Sequence, residues 1–431
     1  MNRAAGVSSG RAVSPPDVPT PALRRRVFPF AEIAGVLLGI VIVVLVLRYA
    51  PREKVAAPAK DPAPLAGAVL VEDRGTLDEV LFHYVPRLEP IFAAPYRDFL
   101  GTLDPSTRLV AVIQRDGPGG GPDSLHRFLK KIDPSGAIDA RTRIVEVPGP
   151  ISAWSKDRAL VLGPGTTSDR TGLLIPVPPD PKWVERANDW RTLAALAGAM
   201  PERFYVNEMP LEFDAGDFAV TGTRVLVDVN LFVKNRARGI ASAPAMRELV
   251  AKLLARDVVM LGAEDGDVPR HHMSMYMAPL GEDTVLVGDP KAAIPIVGAD
   301  YVPGEPSPDT GNPLRGDFSD VMVARFERAA KDLTDAGYRV VRIPTVAFDD
   351  KTYFAYTNGV YETRGGKKIA WVPQYADTSL PDAAKIAKLD EAARKIYEDL
   401  GWTVKPVAVR ASYPYHGTIG CLANVLARGK K

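Results

Sequence analysis

The chain has 431 residues, 46% apolar and 25% charged, an ordinary globular composition rather than a disordered or fibrous one. Its 54 basic and 52 acidic side chains leave a formal charge of +2 with both signs intermixed, so no nucleic-acid footprint is present. A single cysteine excludes an internal disulfide and a thiolate-only metal site.

In chain order, residues 1–27 read as a disordered segment. Residues 28–48 read as a transmembrane signal anchor: the run at 28–47 has Glu32 as its only charge and is long enough to span a bilayer core. Arg24, Arg25 and Arg26 before it outweigh the more dispersed Arg48, Arg52 and Lys54 after it, which favours a cytoplasmic N-terminus. A cleaved signal peptide is the competing reading. Residues 49–68 form a Pro/Ala-rich linker, semi-rigid and coreless. This arrangement predicts a single-pass membrane protein whose remaining residues, 69–431, face the extracytoplasmic side.

Residues 69–431 alternate between strand and helix patterns. Strand-like runs lie at 108–114, 142–147, 159–162, 224–229, 257–261, 284–287, 338–343, 353–361, 367–373 and 404–409, rich in Val, Ile and Leu and bounded by Gly, Pro or Asp. Helical spacing of apolar residues marks 183–200, 246–256, 321–336 and 383–400. Gly337 and Gly401 stand where C-caps are expected. The alternation argues for an α/β domain; the runs at 353–361 and 367–373 read as a hairpin, unlike a simple Rossmann repeat, and no GxGxxG or P-loop lysine motif is present.

Four places carry polar groups that a plain core avoids. Trp154-Ser-Lys156-Asp157 precedes an apolar strand; the bland reading of its acid is a turn or cap. Asp214-Ala-Gly-Asp217 sets two carboxylates among small residues, suited to a cation or to a solvated loop. His271-His272-Met-Ser274 lacks zinc-ligand spacing, which leaves a satisfied core histidine or an acid–base one. Gly420-Cys421 leaves packing, an intermolecular link, or nucleophilic chemistry with a distant histidine.

Taken in order, Trp-x-x-Asp, Asp-x-Gly-Asp, His-x-Ser and a C-terminal Gly-Cys-Leu-Ala-Asn-Val resemble the guanidine-modifying enzymes of the pentein fold, on the agmatine deiminase and peptidylarginine deiminase-like side. Asn235-Arg236, Arg342-Ile-Pro344, Tyr353-x-x-Tyr356-x-Asn358 and Val372-Pro-Gln374-Tyr are similar as well. The resemblance implies a five-bladed, pseudo-symmetric α/β propeller of ββαβ units over residues 69–431. It implies Cys421 as nucleophile, His272 as acid and base, and Asp157 and Asp214 as acids on the substrate or the histidine. Trp154, Lys156, Asp217 and Ser274 would lie on the substrate side. The expected partner is a small-molecule or peptide guanidino substrate, with no cofactor and no metal. Four positions depart from the family pattern: Lys156 for Arg, Asp214 for Glu, Ala215 for Gly, and Ser274 where an acid is usual. A non-catalytic binding module and an amidinotransferase are therefore the alternatives to a hydrolase.

Overall fold

The computed structural model describes residues 65, 67–116, 119–164, 169–177, 186 and 188–429. The expected disordered segment, the anchor and all but the last few linker residues lie outside these. Among the described residues no helix is long and apolar enough to cross a membrane.

Among the described residues one unit repeats five times: two antiparallel strands, a helical crossover, then a third strand parallel to the second. In the first complete repeat Leu160–Gly163 pairs antiparallel with Thr171–Pro176, and helix Asp189–Ala199 returns the chain to Phe204–Met209, parallel to it. The next repeats run Phe218–Val220, Arg224–Asp228 and Asp257–Leu261, then Met277–Pro279, Thr284–Asp289 and Arg339–Pro344. Val360–Arg364, Lys367–Gln374 and Trp402–Ala408 form another. The last unit is shared by the two ends of the chain. C-terminal Ala423–Arg428 lies antiparallel to Leu77–Tyr84, which is followed in parallel by Arg108–Gln114 and an added strand, Thr142–Val147. The five-bladed α/β architecture expected from the motif order is the one observed.

Local sequence explains the elements. Helix Asp320–Asp335 starts where the Ser319 hydroxyl accepts the Met322 N–H, and it stops before Gly337, whose φ of +90° suits glycine. Its buried face is Met322, Val323, Phe326, Ala329, Ala330 and Leu333, at i, i+3, i+4 spacing. Fully burying a large apolar side chain of this kind stabilises the fold by roughly 1.5–3 kcal/mol.

Two expectations need correction. The run at 353–361 is not one strand: Tyr353–Phe354 and Val360–Arg364 are separated by a turn at residues 355–359, in which the Asn358 N–H returns to the Ala355 carbonyl. The helix expected from residue 183 begins at Asp189, and its first expected turn falls largely outside the described residues. Leu77–Tyr84 and Thr171–Pro176 escape a period-2 search because nearly every position in them is buried, which leaves no alternation.

Candidate active site

Each repeat contributes a short segment immediately before its first strand, and the five segments meet. Asp157 precedes Leu160–Gly163, Asp214 and Asp217 precede Phe218–Val220, and His272 precedes Met277–Pro279. Asn358 precedes Val360–Arg364, and Cys421 precedes Ala423–Arg428.

Backbone, side-chain and packing contacts close these segments into a ring. Ser155 Oγ donates to the Leu422 carbonyl at 2.7 Å, and the Lys156 N–H to the Cys421 carbonyl at 3.2 Å. The Ala215 N–H reaches the Asp157 carbonyl at 2.7 Å. Gly216 lies against the His272 ring so closely that an added Cβ would stand 2.5 Å from its Cγ. Ser274 Oγ accepts from Asn358 Nδ2 at 2.8 Å, and the Asn358 carbonyl accepts the Gly420 N–H at 3.1 Å. Behind the ring, the Asn235 amide takes both the N–H and the carbonyl of Glu212 at 2.7 Å each, fixing the approach to Asp214.

At the centre, Cys421 Sγ, an imidazole nitrogen of His272 and a carboxylate oxygen of Asp157 lie within 4.8 Å of one another, and all three residues are buried. His272 Nε2 is 3.4 Å from Asp214 Oδ2, and its Nδ1 is 3.8 Å from Asp157 Oδ1. Asn358 bridges to the sulfur, with Nδ2 at 3.5 Å, while its Oδ1 receives the Thr418 hydroxyl at 2.6 Å.

Burial opposes a charge on His272, but Asp157, Asp214 and the neighbouring sulfur together lift its pKa well above the ordinary histidine value. Burial likewise opposes a charge on Asp214; Lys234, Arg186 and His272 override it and hold that carboxyl well below the usual range. For Asp157 burial wins, and its pKa is raised despite Arg186 and His272. His271 stacks on His272 at 4.0 Å, and burial, then the charge of its neighbour, keep it well below the ordinary value. Its Nε2 lies 2.8 Å from the His416 carbonyl, within hydrogen-bonding reach.

Cys421, His272, His271, Asp157 and Asp214 line a cavity of ≈ 600 Å³. Leu88, Ile91, Phe92 and Trp154 give it an apolar wall, with Trp154 set edge-on to Phe92 at 5.4 Å. His416 lines it but turns its ring to Thr352 and Asp309. Of the residues read from sequence, Cys421, His272, Asp157, Asp214 and Trp154 line the cavity, whereas Lys156, Asp217 and Ser274 do not. Lys156 Nζ pairs with Glu72 at 2.9 Å. Asp217 pairs with Lys234 at 2.6 Å and bonds the Asp214 N–H, completing a reciprocal cap. Ser274 is a link in the ring.

Sequence reasoning missed the cations beside the acids. Arg186 Nη2 is 2.8 Å from Asp157 Oδ2 and 3.2 Å from Asp214 Oδ1, and Arg158 Nη1 is 3.6 Å from the same Asp214 oxygen. Lys234 Nζ is 3.4 Å from Asp214 Oδ2. Asn358 had a findable signal: it occupies the same place ahead of its first strand as the other site residues.

Gly216→Ala follows directly as a test of this packing. It is expected to cost about 1–3 kcal/mol by overpacking, read as a lower denaturation midpoint. The accompanying displacement of His272 should lower any turnover on the order of 100-fold.

Solved structures share this fold. C. jejuni agmatine deiminase is 12% identical, with 85% of this chain and 98% of that one covered and a TM-score of 0.57. E. faecalis agmatine deiminase is 11% identical over 86% and 98%, with a TM-score of 0.54. A candidate peptidyl-arginine deiminase is 13% identical over 84% and 99%, with a TM-score of 0.56. No protein-family model matches the chain, and no curated protein matches it by sequence. The fold is therefore the one these solved deiminase structures share.

Proposed function

We propose that the chain is a thiol-dependent hydrolase of a guanidino group, releasing ammonia and a ureido product. The observation that supports this reading best is the meeting of Cys421, His272 and Asp157 within 4.8 Å in the lining of a cavity. A guanidinium carbon is resonance-stabilised and needs a strong nucleophile. A thiolate is the best side-chain nucleophile near neutral pH. The sulfur adds to the guanidinium carbon, and protonated His272 gives its proton to the departing nitrogen. Ammonia leaves as the C–N bond breaks, and a covalent thiouronium remains. Neutral His272 then takes a proton from water, whose oxygen adds to the same carbon. The C–S bond breaks as the added hydroxyl gives its remaining proton to solvent, where the released ammonia takes it up, so the neutral ureido product departs and the thiolate returns. Asp157 holds the substrate nitrogens, and Asp214 keeps His272 charged and oriented.

The membrane location belongs to the same proposal, resting on the apolar run at 28–47 and its flanking arginines. The test is ammonia release by the full chain from agmatine, arginine and an arginyl peptide, without an added amine. Release that appears only with an amine acceptor would make it an amidinotransferase. A ligand bound with no turnover would make it a binding module.

A further inference from the structure

Two of the four acids that line the cavity, Asp157 and Asp214, already hold a guanidinium, and it is one of the chain's own. Arg186 Nη2 sits 2.8 Å from Asp157 and 3.2 Å from Asp214, and its Nε lies 3.5 Å from Asp189. The Arg186 side chain is 19% exposed and lines the same cavity as Cys421. Asp157 Oδ2 is thereby committed. Asp157 Oδ1 and His272 Nδ1, both buried and 3.8 Å apart, have no hydrogen-bond partner. The site thus shows an unfilled pair of polar atoms beside a filled one.

Charge makes this arrangement incompatible with a second guanidinium at full strength. Asp214 is shared among Arg158, Arg186, Lys234 and His272. Ser274 supplies no further anion, and its hydroxyl is taken up by Asn358. A cationic substrate approaching Cys421 would meet Arg186 and a charged His272, and of the carboxylates that contact His272 one oxygen of Asp157 is uncommitted; Glu212 and Asp309 also line the cavity. Like charges brought together in a desolvated site cost several kcal/mol.

On the hydrolase reading above, we infer that Arg186 is an internal competitor for the guanidinium subsite: it occupies Asp157 in place of substrate and must release that carboxylate before a guanidino group is held there. Arg186 then sets specificity, since it raises the threshold for any amidinium that cannot displace it.

The test reads the lone thiol. Full-length protein is treated with 2-chloroacetamidine, a cationic amidine, and in parallel with its neutral isostere 2-chloroacetamide. In each case the Cys421 sulfur displaces chloride, a C–S bond forms, and the mass increase gives the rate. The neutral reagent corrects for access. Arg186→Gln is expected to raise the amidine-to-amide rate ratio about tenfold or more by removing the competing charge. An unchanged or lower ratio would overturn the inference and leave Arg186 a permanent counter-ion. If Arg186→Gln does not fold, Arg186→Lys replaces it, because an ammonium lacks the fork that spans two carboxylates. The ratio should then rise several-fold, and no rise again overturns the proposal. A higher ratio without ammonia release keeps this inference and sinks the hydrolase reading. Ammonia release with an unchanged ratio does the reverse.

Discussion

Cys421→Ala is expected to abolish ammonia release, with a loss on the order of 10⁶-fold, since removing a covalent nucleophile leaves only binding and electrostatic assistance. The fold should survive. Cys421 is buried, and the sulfur's bonds to the Asn358 amide are long, 3.5 and 3.7 Å. That amide keeps Ser274 and Thr418 as partners when the sulfur is gone. Guanidino ligands should therefore bind the variant with near-normal affinity, measurable by calorimetry, while no product forms. Because the chain has one cysteine, a substrate-derived mass adduct on a thiol of the unmodified protein can only be at Cys421. Turnover that persists in the variant would remove the thiolate mechanism altogether, whatever the substrate.

The fold and the order of site motifs were legible because each motif precedes the first strand of a repeat, and small residues mark where segments touch. Gly216 is the clearest case: no other residue leaves room for the His272 ring beside it. The counter-ions were not legible. Arg158 follows Asp157 directly, and Lys234 lies on helix Val229–Asn235, so nothing in spacing or period singles either out from an exposed cation. Their direction is set by packing between repeats, which sequence spacing does not report. Ser274 illustrates the opposite error. A missing acid reads as a lost substrate contact, yet the hydroxyl faces Asn358 and joins two segments of the ring. A carboxylate in that position would place a charge beside the amide that bridges to Cys421.

Asp214→Asn is expected to lower folding stability by about 3 kcal/mol, toward the low end for breaking a buried ion pair because its partner Lys234 is 28% exposed. The loss arises because Arg158, Arg186, Lys234 and His272 all share that one carboxylate. The pH dependence separates this cause from simple misfit. Asp214 has its pKa depressed in the folded state, so its contribution is full above the unfolded value of about 4 and fades as pH falls through the folded one. His272 has its pKa raised, so its contribution is full below the unfolded value of about 6.5 and fades as pH rises through the folded one. Asp157, raised by burial, acts in the opposite sense to Asp214 and is retained in the variant. Urea midpoints from acid to alkaline pH should therefore show both limbs softened in Asp214→Asn. A uniform downward shift with unchanged shape would mean that the carboxylate acts by packing alone. The same substitution should move the alkaline limb of kcat/KM to lower pH, since His272 loses one of the carboxylates that hold its proton. A catalytic acid deprived of that support fails first where protons are scarce, and structural loosening alone gives no reason for the limb to move.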